Sequence, residues 1–215
     1  MATYTPEQAF KVALGYYNEA VDLIKEMTVI TQKTFPKFSF DIALIEFEQI
    51  LQCILLKVAL SDGQFASVES AFIDTITQKG DAIKLANIRM EKETGRNPGM
   101  TWKNVLEFDN ETLEKLSAIL EHVCQDRADE FVKFFAKADA ITETNYVKEL
   151  ADKVIMIVTA LAVVDGDDIE SSYVKTEHSV GVEMINRMFY ERWIKALESE
   201  GNGGSSLKDN YLKKN

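Results

Sequence analysis

Six carboxylates gather in two short stretches of this 215-residue sequence. Asp62 and Glu69 flank the loop Asp62-Gly63-Gln64-Phe65-Ala66-Ser67-Val68-Glu69, while Asp165, Asp167, Asp168 and Glu170 crowd a second one. Hard cations such as Ca²⁺ and Mg²⁺ take several oxygen ligands, which clustered carboxylates supply. If folding brings the loops together, Asp62, Glu69, Asp165 and Asp168 form one candidate divalent-metal site. The same residues also have a plainer reading. Asp62 and Asp165 each precede a Gly, as turns favour, and Glu69 or Glu170 in a first helical turn gains from the helix dipole. Both readings stand at this level. The second loop is no EF-hand, because Gly166 is second in the run, whereas that loop needs Gly at position six and Glu at twelve.

Other chemistry finds few carriers. Glu111-x-x-Glu114 and Asp126-x-x-Asp129 resemble the acidic pairs with which all-α nucleotide pyrophosphohydrolases hold Mg²⁺. Such pairs must face each other from adjacent helices, yet a continuous helix would hold these about 22 Å apart. A Mg²⁺-dependent hydrolase therefore requires a sharp break near Gln125. A solvated acidic face is the simpler expectation. His122 and Cys124 point to different sides of a helix, and His178 lacks a second imidazole at metal-binding spacing. No Gly-x-Ser-x-Gly or phosphate-cradling Gly-rich loop occurs. The sequence offers no catalytic residue.

The elements that must position these residues are helices. Thr5-Pro6-Glu7-Gln8 is a helix start: Thr5 accepts from a free amide, Pro6 has no N–H to lose, and Gln8 reaches back. Phe10, Leu14, Tyr17, Val21 and Ile24 then form one stripe, ended at Thr34-Phe35-Pro36. Leu44, Phe47, Leu51, Ile54 and Val58 form a second, ended at Asp62-Gly63, and a shorter helix is expected from Ser67 to Lys79. Ile83, Ala86 and Met90 suggest another before the loop Thr94–Gly99. Leu113, Leu116, Leu120 and Val123 continue through Phe131, Phe134 and Ala138, with a blur at Gln125-Asp126-Arg127. Leu150, Val154, Ile157, Leu161 and Val164 lead to Asp165-Gly166, and a last helix carries Ile185, Phe189, Trp193 and Leu197. No alternating strand pattern interrupts them. Gly15 and Gly181 fall inside helical patterns, where each signals either a close helix approach or mere tolerance. Trp102 is expected to plug the bundle.

Composition bounds the partners. There are 24 Lys+Arg against 35 Asp+Glu, a formal charge of −11, and 46% of residues are hydrophobic. That balance argues against nucleic acid, which needs clustered Lys and Arg, and against anionic membrane surfaces. The run Val154–Val164 is far short of the roughly 20 residues a membrane span needs. The first residues carry no secretory signal pattern, and two cysteines make no disulfide scaffold. A cytoplasmic protein with reduced, buried thiols is expected.

Two apolar segments resemble each other. Leu51–Gly63 and Val154–Gly166 match in apolar pattern at an offset of 103 residues, and each ends in Asp-Gly. Each is expected to sit centrally in the bundle, with Gly taking the left-handed turn. Leu55-Leu56-Lys57-Val58-Ala59-Leu60-Ser61-Asp62-Gly63-Gln64-Phe65-Ala66-Ser67-Val68-Glu69 resembles the signature of the tellurite-resistance TerB-like family: an apolar helix, Asp-Gly, an apolar residue two later, then Glu in the next first turn. The likeness covers 48–73 and more loosely 150–173. It implies a pseudo-symmetric helical bundle, a link to stress responses, and divalent-metal binding by acids near these loops. The second copy departs from the pattern. Its apolar residue, Ile169, comes one position late, and Ser172 stands where Glu69 would be repeated, so a carboxylate there must come from Asp168 or Glu170.

The expected architecture is all-α: a compact bundle of seven to nine helices with an internal pseudo-twofold repeat. A single domain over 1–199 would hold repeat halves around 44–79 and 147–185, followed by a flexible linker and short tail over 200–215. In that tail Leu207 and Tyr211 share a side and suit a partner-binding peptide. The expected role is non-catalytic: a stress-linked module binding a divalent cation (Ca²⁺ or Mg²⁺), protein partners, or both. The alternative is a metal-free scaffold or homo-oligomerisation module.

Overall fold

The computed structural model describes residues 5–33, 36, 38–61, 63, 65–165 and 171–199. Among them the secondary structure is entirely helical: α1 Pro6–Thr31, α2 Phe40–Ala59, α3 Ser67–Ile76, α4 Ala82–Thr94, α5 Trp102–Val105, α6 Asn110–Thr142, α7 Tyr146–Leu161, α8 Ser172–Ile185 and α9 Glu191–Ser199. Residues Asn186–Tyr190 form a π-helical turn joining α8 to α9. None of these helices is long and apolar enough to cross a membrane.

Local chemistry sets the helix ends. At α1 the capping box forms as its residues require: Thr5 Oγ1 accepts from the Gln8 amide, and Gln8 Oε1 accepts from the Thr5 amide at 2.9 Å. Ser39 caps α2 and Asp109 caps α6 through their side chains. Gly95 closes α4 with φ 73°, and Gly63 turns the chain after α2 with φ 81°, conformations that a Cβ disfavours. The third helix stops at Ile76, three residues before the expected Lys79. There Thr77 leaves helical geometry and its hydroxyl returns to Ile73 O.

The centre is α2. Almost every residue from Phe47 to Ala59 is buried, and α6, α8, α1, α7, α3 and α4 pack round it. The second apolar segment is less central than its composition suggests: α7 buries Val154, Ile157, Val158 and Leu161 but leaves Met156 exposed. Its other side lies against α1, where Lys153 pairs with Glu19 at 2.5 Å and Tyr146 donates to Glu26.

The burial of α1 corrects the sequence reading. The buried line is Ala9, Ala13, Ala20, Ile24 and Met27, whereas Leu14 is 47% exposed and Phe10, Tyr17 and Val21 are half-buried. A stripe chosen by side-chain size points one step round from the true face, because small alanines let helices approach closely. The α6 helix runs unbroken for 33 residues, through the expected blur at Gln125–Arg127. Trp102 is half-buried at the rim, its ring 6.3 Å from Phe65.

Candidate functional site

The helices that precede the two Asp-Gly sequences, α2 and α7, meet at α8. Close to the end of α2 lies Val58, and close to the end of α7 lies Val158; both press on Gly181 in α8. A Cβ on Gly181 would fall inside the envelope of Val158 Cγ1 and lie 3.1 Å from Val58 Cγ2. The absent side chain lets three helices meet. Gly15 has no neighbour within 4 Å of an added Cβ, so it marks no close approach.

Of the four expected metal ligands, the described residues include Glu69 and Asp165. Asp62 and Asp168 lie outside them, as do Asp167, Glu170 and the tail over 200–215. Glu69 is only 6% exposed, and its Oε2 accepts from the Ala66 amide at 2.6 Å, capping α3. Helix capping is therefore one role it fills. Asp165 is exposed just past α7. Among the described residues no three His, Cys, Asp or Glu side chains cluster in a way that could hold a metal.

Beside the first loop lies a shallow cleft of about 340 Å³, lined by Lys57 and Ser61 at the end of α2, Glu114, Ser117 and Glu121 of α6, and Val180 of α8. Glu121 bridges two cations here, with Lys57 Nζ at 2.8 Å and Arg187 Nη1 at 2.5 Å. Burial pushes the Glu121 carboxyl up, but Lys57 and Arg187 more than offset that and hold it below its ordinary value. The triad ties α2, α6 and the π-helical turn together immediately under the loop. Ser61 Oγ is buried there without a hydrogen-bond partner among the described residues.

Other buried polar groups hold turns. Asp139, fully buried in α6, accepts from Trp193 Nε1 at 2.8 Å, the Tyr146 and Val147 amides at 2.7 and 3.2 Å, and Thr144 Oγ1 at 3.1 Å. It thereby supplies the cap of α7 from the preceding helix. Burial lifts its carboxyl to about 6 against the pull of those donors. On α2, Glu48 accepts from Tyr17 at 2.5 Å and from the Lys79 amide. One turn further on, Gln52 donates to Thr77 Oγ1 at 2.9 Å and accepts from the Ala82 amide at 2.7 Å. Sequence reasoning singled out none of these. A Glu and a Gln four apart inside an apolar helix were the available signal, since buried polar groups demand partners. Asp139 offered none, its partner Trp193 being 54 residues away.

The acid pairs Glu111/Glu114 and Asp126/Asp129 sit on one unbroken helix, so the break that a Mg²⁺ clamp requires is missing. Asp126 pairs instead with Arg89 at 2.7 Å and Asp129 with Arg192 at 2.7 Å. His122 is exposed, and both cysteines are buried. No protein-family model, no curated protein and no solved structure matches this chain.

Proposed function

We propose that this chain is a non-catalytic, TerB-like cytoplasmic module that binds a divalent cation, Ca²⁺ or Mg²⁺, at its paired Asp-Gly loops and passes that state to protein partners in a stress response. The observation that supports this reading is the meeting of α2 and α7 at Gly181 of α8, since each of those two helices precedes an Asp-Gly sequence. Asp62, Glu69, Asp165 and Asp168 are the proposed ligands. A hard cation would be satisfied by such carboxylates together with loop carbonyls and water. The non-catalytic part of the reading rests on the sequence, which carries none of the catalytic motifs considered above, and in the cleft beside the first loop Lys57 and Arg187 are both engaged by Glu121.

Calorimetry with Ca²⁺, Mg²⁺ and Mn²⁺ tests the reading. Saturable heat is expected for the native protein, and loss of it for the double variant Asp62→Ala, Asp165→Ala. Equal heats for the two proteins would remove the metal site and leave the metal-free scaffold.

A further inference from the structure

In a chain of net charge −11, one cleft of the surface is cationic. It measures about 520 Å³ and lies between α6 and α9, with no residue of α2 or α7 in its lining. Lys133 and Lys137 of α6 and Arg192 and Lys195 of α9 line it, against the two carboxylates of Asp129 and Glu130. Even without Lys137, which has an interaction of its own, the cations outnumber these acids three to two. Two other clefts show no such excess. The groove between α2, α4 and α6 sets Arg89, Lys92 and Arg127 against Glu46, Asp126 and Glu130, and the cleft beside Ser61 sets Lys57 against Glu114 and Glu121.

The cations differ in how firmly they are held. Arg192 is the fixed one: its side chain is only 18% exposed, its Nε donates to Asp129 at 2.7 Å, and its Nη1 donates to the Arg187 carbonyl. Those bonds leave three of its five N–H donors uncommitted among the described residues. Lys133 meets Glu130 at 3.5 Å, but both side chains are mostly exposed, and such a pair is worth little. Lys195 is exposed and pairs with no carboxylate among the described residues. Phe134 and Ala196 give the same cleft an apolar wall.

We infer that this cleft binds the phosphate group of a small organic phosphomonoester, held by Lys133, Arg192 and Lys195, with the carbon skeleton against Phe134 and Ala196. The ligand is compact because the molecule as a whole repels negative charge. The Debye length is about 8 Å at physiological ionic strength, so an anion confined to the cleft meets chiefly these cations. A polyanion or an acidic protein surface would reach beyond it and meet the net charge of −11. A phosphate, close to dianionic at neutral pH, outcompetes Glu130 for Lys133, where a single carboxylate would merely replace it. The guanidinium fork of Arg192 suits paired phosphate oxygens. The cleft volume also falls in the range of small-molecule sites, roughly 300–1,000 Å³.

Amide chemical shifts of the full chain, titrated with phenyl phosphate at physiological salt in the presence of EDTA, test this. EDTA removes divalent cations, so the outcome is independent of the metal site proposed above. Saturable shifts are expected at Lys133, Arg192 and Ala196. The dissociation constant should rise about tenfold in the double variant Lys133→Gln, Lys195→Gln. It should stay within about twofold in Lys84→Gln, Lys92→Gln, which removes two charges from α4 instead. Inorganic phosphate, with no skeleton to rest on Phe134, should bind more weakly. Absence of saturation up to about 10 mM phenyl phosphate overturns the inference. Equal weakening by the two double variants does so too, since the effect would then be one of net charge. Inorganic phosphate binding as tightly as phenyl phosphate, or a phosphoserine peptide binding where phenyl phosphate does not, also overturns it.

Discussion

Asp139 shows how much one residue can carry when its surroundings are built by distant parts of the chain. Its two oxygens accept from a tryptophan N–H, two backbone amides and a threonine hydroxyl, and so fasten α6, α7 and α9 at one point. Asp139→Asn places an NH₂ against those donors and is expected to cost about 2 kcal/mol at pH 7, read by urea unfolding. The pH dependence has a definite sign. The folded carboxyl titrates at about 6, above the ordinary 3.8, so the fold takes up this proton more readily than the unfolded chain. The contribution is fully present below 3.8 and is lost as pH rises through 6. Over that window it amounts to about 3 kcal/mol. The asparagine variant should lack it, so stability differences between pH 4 and pH 7 should shrink by that amount. Equal pH profiles for the two proteins would show that Asp139 keeps an ordinary pKa.

At the scale of elements, the decisive contact is α8 crossing α2 and α7. Gly181→Ala inserts a methyl against Val158 Cγ1, and overpacking of this kind costs about 2 kcal/mol even after the gain in helix propensity. Adding Val158→Ala should recover part of the loss, because it removes the opposing methyl. Gly15→Ala, facing open space on α1, is expected to stabilise by about 1 kcal/mol. Thermal unfolding of the three variants separates the cases: melting temperatures should fall, partly recover, and rise. A rise for Gly181→Ala alone would mean that α8 can shift away from α2 and α7.

Across the whole molecule, α2 is the axis and the two cysteines report on its integrity. Cys53 lies on α2 and Cys124 on α6, both fully buried. Burial pushes the Cys53 thiol up to about 12 despite Arg127, and pushes Cys124 well up, with Cys53 itself adding to the effect. Thiolate is the reactive form, so neither should react with a disulfide reagent in the native protein. Both are expected to react together, at a rate that follows the population of the globally open state as urea is added. Prompt reaction of one thiol in native buffer would mean that α2 and α6 part locally.

Much of the architecture was legible in short stretches of chain. Thr5, Gln8 and Ser67 mark helix starts, Gly63 and Gly95 mark helix exits, and Ile185, Phe189, Trp193 and Leu197 all reach the core as their spacing implies. Capping and periodicity act over three or four residues, so neighbouring letters determine them. Tertiary structure alone decided that α1 buries its alanines rather than Leu14, that Gly181 and not Gly15 is a contact point, and that Asp139 is enclosed. The same holds for the candidate site. Its acids can be read from the sequence, but the meeting of the helices that precede them rests on Val58, Val158 and Gly181, separated by 100 and 23 residues along the chain. Such encounters are set by which surfaces fit when all the helices pack at once, a property that no local run of residues contains.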